Sequence, residues 1–194
     1  MKKYHSLKDF CRGLKRHDQF LLTCHVTPEG DAIGSIFAMD SLLRRIGKKT
    51  AVVGDDDFPG RLSWIPNRRW KRMDPAKHSA SKFKALVVAD CPNLDRIGEV
   101  RRLLTPETVI FNLDHHISNE YFGHYNYVRP KAAASGEVVV DIFKQFRMSL
   151  NKQEATNLYV ALSTDTGSFK YGNTTVRSHH VAADLYRVGI NIER

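Results

Sequence analysis

The sequence has 194 residues, 42% of them hydrophobic, and a formal net charge of +9. That length and apolar content supply one well-packed domain and exclude a disordered chain, while the positive balance favours anionic partners such as phosphates or nucleic acid. Three cysteines (Cys11, Cys24 and Cys91) without CxxC spacing argue against a disulfide framework or a structural zinc and fit a reducing cytoplasm, and no apolar run has the length of a signal peptide or membrane span.

Apolar spacing predicts an amphipathic helix over about residues 6–16, followed by a buried strand in FLLTCH. A long helix is expected from about Asp31 to Ile46, closed by the basic run RRIGKK, whose cations complement the helix dipole. KTAVVG reads as a second strand and DDDFPG as a turn. The basic, aromatic stretch NRRWKRMD comes next. Its RRWKR core (Arg68 to Arg72) reads as a solvated basic face around a half-buried Trp70, the alternative being a phosphate grip with a stacking base. KALVVAD and TVIFNLD are the third and fourth strands, joined by the partly helical CPNLDRIGEVRRLL. After the short segment HYNYV, three helical segments follow: SGEVVVDIFKQF, NKQEATNLYVALSTDTG and TTVRSHHVAADLYRVG. Short Val/Ile/Leu-rich strands alternating with helices predict an α/β fold with a parallel sheet flanked by helices. The last three helices either pack on that sheet or cap it from the side.

The polar residues cluster where these elements meet. HVTPEGDAIGS places His25, Glu29 and Asp31 at a strand-to-helix junction; KALVVAD ends in Asp90, TVIFNLDHH ends in Asp114, His115 and His116, and the next-to-last helix delivers Asp165. Apolar strands that finish in Asp or His put these groups at the carboxyl edge of a parallel sheet, where open α/β sheets bind ligands. Taken singly, Asp31 and Asp90 also read as helix caps. Carboxylates mixed with imidazole suit Mn²⁺ or Mg²⁺, and two such ions about 4 Å apart would neutralise the crevice, activate a water and clamp a phosphoryl group. His179 and His180 lack carboxylate company and read as surface or packing residues.

HVTPEGDAIGS, VVADCPN, NLDHHISNEYFG and LSTDTGSFKY resemble the four motifs of the DHH phosphoesterase family, in family order, within a match running from about residue 5 to about residue 190. Within the family the resemblance points to the bacterial bifunctional oligoribonuclease and pAp phosphatase group. It implies a Rossmann-like domain over residues 1–190, with 191–194 starting an interdomain linker and the C-terminal substrate-binding lobe of the family absent from this sequence. His25, Glu29 and Asp90 would hold one Mn²⁺, and Asp31, Asp90, His115 and Asp165 the second, with Asp90 bridging and Mg²⁺ as the alternative metal. His116 would face the scissile phosphate and Asp114 would orient the histidine pair; His116, Ser135 and Gly136 would bind substrate. Glu29 departs from the Asp usual in the family.

The implied activity is a Mn²⁺-dependent, cytoplasmic phosphohydrolase acting on short RNA oligonucleotides or pAp, without membrane association and with a homodimer left open. Two alternatives stand beside it. One is a metal- or nucleotide-binding core with little activity for want of its second lobe, the other a cyclic-dinucleotide phosphodiesterase.

Overall fold

A computed structural model describes residues 4–65, 69–79 and 82–190 of the chain. FLLTC forms β1 (Phe20–Cys24) and ALVVA forms β4 (Ala85–Ala89), and every residue of both is buried, as unbroken apolar strands require when both sheet faces are covered. With β2 (Thr50–Gly54), β3 (Trp70–Arg72), β5 (Val109–Asp114) and β6 (Tyr125–Val128) they make a six-stranded parallel sheet in the order β3-β2-β1-β4-β5-β6. Strand order reverses between β1 and β4, which pair in register from Phe20 opposite Ala85 to Cys24 opposite Ala89. Chains leaving the carboxyl ends of these two strands diverge, and the crevice opens there.

Helices α1 (Leu7–Arg16), α2 (Gly30–Arg45) and α3 (Ser135–Gln145) belong to the larger core, built around Phe10, Phe20, Phe37, Phe111 and Phe143. The opposite face is covered differently. Leu21, Leu86 and Val88 pack there under Ile97, Val100 and Leu103 of a 3₁₀ segment, Leu94–Leu103, so the stretch that reads as partly helical serves as a thin lid in place of an α-helix. Of the two arrangements open for the last helices, α3 packs against β5, whereas α4 (Lys152–Asp165) stacks on α2 and α3, and α5 (Val176–Arg187) on α4.

Two strands escape the sequence patterns. β3 is three residues of basic, half-exposed chain at the sheet edge, and β6 is the four-residue core of HYNYV. Trp70 packs over Gly54 and donates its indole N–H to the Asp56 carbonyl at 2.9 Å, while Lys71 and Arg72 are exposed, which matches the solvated-face reading of the basic patch. Arg68 and the expected linker 191–194 lie outside the described residues. Cys11, Cys24 and Cys91 are buried and unpaired. Among the described residues no helix is long and apolar enough to cross a membrane.

The α2–α4 contact positions the crevice, because α2 begins and α4 ends there. It is close because Gly34 has no side chain: a Cβ at that position would stand 2.2 Å from the Asn157 carbonyl oxygen and 3.1 Å from the Ala161 methyl. Alanine is the better helix former by about 1 kcal/mol, yet here backbone must move to admit it. Gly34→Ala is therefore expected to destabilise the chain by about 1–3 kcal/mol, read as a lower denaturant midpoint at unchanged slope. A neutral or stabilising result would show that the two helices separate freely.

Candidate active site

Three strand ends and three helix ends deliver the polar residues. His25 follows β1, Asp90 follows β4, and Asp114 closes β5 with His115 and His116 behind it. Asp31 is the second residue of α2, Asp165 the last of α4, and Ser135 and Gly136 the first two of α3. Neither aspartate is a helix cap. Glu29 is the N-cap of α2 and Asn93 that of the 3₁₀ segment. Asp90 adopts a left-handed backbone (φ 55°) that non-glycine residues rarely take, held by its N–H donating to the Leu113 carbonyl at 3.1 Å.

The side chains converge on His115. Its Nε2 lies 3.3 Å from Asp165 Oδ2, 3.5 Å from Asp90 Oδ1 and 3.8 Å from Asp31 Oδ2. One ligating atom each from Asp31, His115 and Asp165 falls within a 4.8 Å span, and so does one each from Asp90, His115 and His116. His25 Nε2 is 3.5 Å from the other Asp90 oxygen. Backbone carbonyls fix both imidazoles: His25 Nδ1 bonds Val26 O at 2.7 Å and His115 Nδ1 bonds Ala132 O at 3.1 Å. Each Nδ1 thus acts as donor, leaving an unprotonated Nε2 to ligate whenever the ring is neutral. This is how metal-binding histidines are oriented.

The charges explain what the cluster lacks. Burial, with Asp90 and Asp165 nearby, pushes the Asp31 carboxyl well above its ordinary value, and burial raises Asp165 as well. Burial acts against ionised Asp90 too, but His115 and His25 outweigh it and hold Asp90 below the usual carboxylate range. Burial alone would lower the His115 imidazole; contact with Asp90 and the charges of Asp31 and Asp165 reverse this and lift it to about 10. His115 is thus in contact with all three carboxylates, while His25 meets Asp90 alone. The donor set of hard oxygens and preset imidazoles fits divalent cations.

Around this cluster lies a ring of supporting bonds. Asp31 Oδ2 accepts the Ser135 N–H at 2.6 Å and Asp31 Oδ1 the Gly136 N–H at 2.9 Å, so the start of α3 stabilises the negative charge. Ser135 Oγ donates to Asp90 Oδ1 at 3.1 Å. The resemblance assigns Ser135 and Gly136 to substrate binding; these N–H groups and this hydroxyl are turned to the two aspartates. Asp114 is fully buried and accepts three bonds, from the His115 N–H at 2.8 Å, His116 Nδ1 at 2.7 Å and Asn119 Nδ2 at 2.6 Å.

Glu29 is placed differently. It lines the crevice, but its side chain is 68% exposed, stands 4.0 Å from Arg61 and belongs to neither tight group of ligating atoms. Two residues escaped the sequence reading. Asn119 lies in the third motif, and its amide ties Asp114 to the Cys91 carbonyl. Arg96 lines the crevice beside His25 and His116. No strand or helix end announces either residue. His179 stacks on Phe169 as a packing residue.

The crevice has a volume of about 200 Å³. A larger cavity, about 840 Å³, lies over β2 and β3 between Val53, Met73 and Phe83, away from the ligating groups. Fold and site together define an α/β protein with a carboxylate–imidazole crevice at the switch point of a parallel sheet. The chain belongs to the DHH family: the family described as "DHH family, N-terminal domain" matches residues 19–162. It is 32% identical over 171 residues to the "Bifunctional oligoribonuclease and PAP phosphatase NrnA" of Thermus thermophilus, covering 88% of this chain and 50% of that protein. To the probable NrnA of Streptococcus mutans it is 27% identical, covering 94% of this chain and 56% of the relative. The chain thus spans about half the length of the curated relatives it matches. Among solved structures, an exopolyphosphatase-related protein from Bacteroides fragilis superposes with a TM-score of 0.85 at 25% identity, covering 95% of this chain and 57% of that one.

The Asp114–His116 bond raises the His116 pKa above its ordinary 6.5, the hydrogen bond to Asp114 being the largest cause. A histidine raised by folding contributes stability in full below its unfolded pKa and loses it as pH climbs through the folded value. Asp114→Asn removes the charge from the acceptor. In metal-free protein, NMR titration should then show the His116 pKa falling toward 6.5, and the stability difference from the unaltered chain should shrink as pH rises. An unmoved His116 titration would show that Asp114 does not govern that ring.

Proposed function

We propose that the chain is the metal-binding lobe of a phosphohydrolase that cleaves short oligoribonucleotides, pAp or both, with two Mn²⁺ ions and with Mg²⁺ as the alternative. The observation that carries this reading is the convergence of two buried carboxylates, Asp31 and Asp90, and the half-buried Asp165 on backbone-oriented imidazoles in one crevice. The activity in the names of the NrnA relatives supports the substrate class. Three unpaired, buried cysteines accord with a cytoplasmic setting.

In this reading Asp31, Asp90, His115 and Asp165 hold one ion, His25, Asp90 and Glu29 the other. When bound, the ions supply Lewis acidity, making a water a better nucleophile and neutralising charge on the phosphoryl oxygens. The chain's own groups do the rest. His116 has Nδ1 committed to Asp114, so Nε2 is its free nitrogen, and it lines the crevice where a phosphate enters. A protonated Nε2 can donate to a phosphoryl or leaving oxygen, and the bond to Asp114 favours the protonated ring. Asn119 holds Asp114 in place, and Ser135 and Gly136 hold Asp31 and Asp90. Glu29 favours a weaker second reading, a metal-binding core of low activity, because its carboxylate stands apart from the tight groups.

Calorimetric Mn²⁺ titration separates the ligands. Asp90→Ala is expected to abolish binding at both sites, Asp165→Ala to remove mainly one, and Glu29→Ala to weaken only the other. Unchanged stoichiometry in Asp90→Ala would rule out the shared-ligand arrangement. Activity is assayed with Mn²⁺ against a dinucleotide, pAp, a cyclic dinucleotide, pyrophosphate and bis-p-nitrophenyl phosphate. Hydrolysis of the artificial ester with preference for the dinucleotide or pAp among natural substrates is the expected result. Full Mn²⁺ loading without any turnover would favour the low-activity core instead.

A further inference from the structure

Arg96 is the one arginine among the residues lining the crevice, and its guanidinium makes no ion pair or hydrogen bond among the described residues. Its neighbours explain why it is free. The nearby acids Asp95 and Glu99 are engaged by Arg101 and Arg102. Its own backbone is pinned at both ends. The Arg96 N–H bonds Asn93 Oδ1 at 3.2 Å, and its carbonyl accepts the Val26 N–H at 2.8 Å, beside His25. Two residues on, Gly98 takes a left-handed turn (φ 60°) where a Cβ would stand 2.4 Å from the Asp55 carboxylate, which also accepts the Glu99 N–H at 2.8 Å. An unpaired cation on a locked main chain, facing a pocket of about 200 Å³, is preorganised for an anion. The pocket lining includes no Phe, Tyr, Trp, Asn or Gln, so it offers a nucleobase neither a large aromatic platform nor an amide to read its edge.

We propose that Arg96 is the fixed phosphate clamp of this crevice, gripping non-bridging oxygens through its guanidinium, so that substrates are selected here by phosphate and not by base. The inference rests on the phosphohydrolase reading and makes this crevice indifferent to the base that its phosphate substrate carries. Arg96 differs from the proposed metal ligands in being a cation built into the chain.

The test is calorimetric binding of AMP and CMP to the Mn²⁺-loaded chain, alongside kcat and KM on bis-p-nitrophenyl phosphate. The two nucleotides are expected to bind within about threefold of each other, since phosphate contacts do not read the base. Arg96→Ala should weaken both by about 10- to 100-fold, the range for a hydrogen bond to a charged group, and lower kcat/KM on the ester comparably. Arg96→Lys should recover part of the loss, and the Mn²⁺ titration of both variants should match that of the unaltered chain. AMP affinity unchanged in Arg96→Ala, a loss confined to one nucleotide, or loss of Mn²⁺ binding would each overturn the assignment. So would failure of the unaltered, loaded chain to bind either nucleotide. Nucleotide binding without turnover would instead overturn the phosphohydrolase reading and leave the clamp standing.

Discussion

The structure turns on the gathering of three carboxylates, the buried Asp31 and Asp90 and the half-buried Asp165, around the His115 imidazole. Like charges drawn out of water repel strongly, and a fold tolerates them only where donors or cations compensate. Here the compensation comes from distinct elements: the first N–H groups of α3 for Asp31, the Ser135 hydroxyl and two imidazoles for Asp90, and His115 for all three. Asp165 has the weakest support. It sits at the carboxyl end of α4, where the helix dipole is itself negative, and its carboxylate is the most exposed of the three. A divalent cation is the natural complement of such a cluster, since it would compete with protons for the same carboxylate and imidazole atoms.

Placing these groups imposes conditions on the packing beneath them. Asp31 and Asp165 lie at the start of α2 and the end of α4, and their separation depends on how closely those helices approach. Gly34, against the Asn157 carbonyl, is what permits the approach. A second condition is the Asp114 hub under the histidine pair, where one buried carboxylate orders the His115 backbone, the His116 ring and the Asn119 amide. Geometry at the crevice is thus set by residues that never reach its surface.

Much of this was legible in the sequence because its signals are local. The continuous apolar runs of β1 and β4 announce buried parallel strands, and each is followed by a polar residue that has no business in a core unless it faces a site. What was not legible depends on partners distant in the chain. β3 has no apolar pattern, since it is an edge strand paired on one side through Trp70, Lys71 and Arg72. The N-cap reading of Asp31 failed because the cap position falls to Glu29, two residues earlier, leaving Asp31 free to accept bonds from α3 more than a hundred residues away. Nothing in the sequence singles out Asn119, whose role comes from the fold bringing it to Asp114. Nothing singles out Arg96 either, since only the structure shows that Asp95 and Glu99 are engaged by other arginines.

The same distribution of partners divides the crevice into two kinds of positive charge. The clustered carboxylates suit cations that can be exchanged. Arg96, on a backbone locked by Val26 and Asn93, supplies a charge that stays in place whether or not metal is present. Were Arg96 paired with an aspartate of the cluster, it would act as an internal counter-ion, occupying both its own donors and the carboxylate oxygens that ligate a metal. No such pair forms among the described residues, so the carboxylates are not tied up by Arg96 and its guanidinium remains available. In the phosphohydrolase reading, a phosphate entering the crevice would meet two kinds of cation, one brought by the metal and one built into the chain, and both would stabilise the charge that develops on a transferred phosphoryl group.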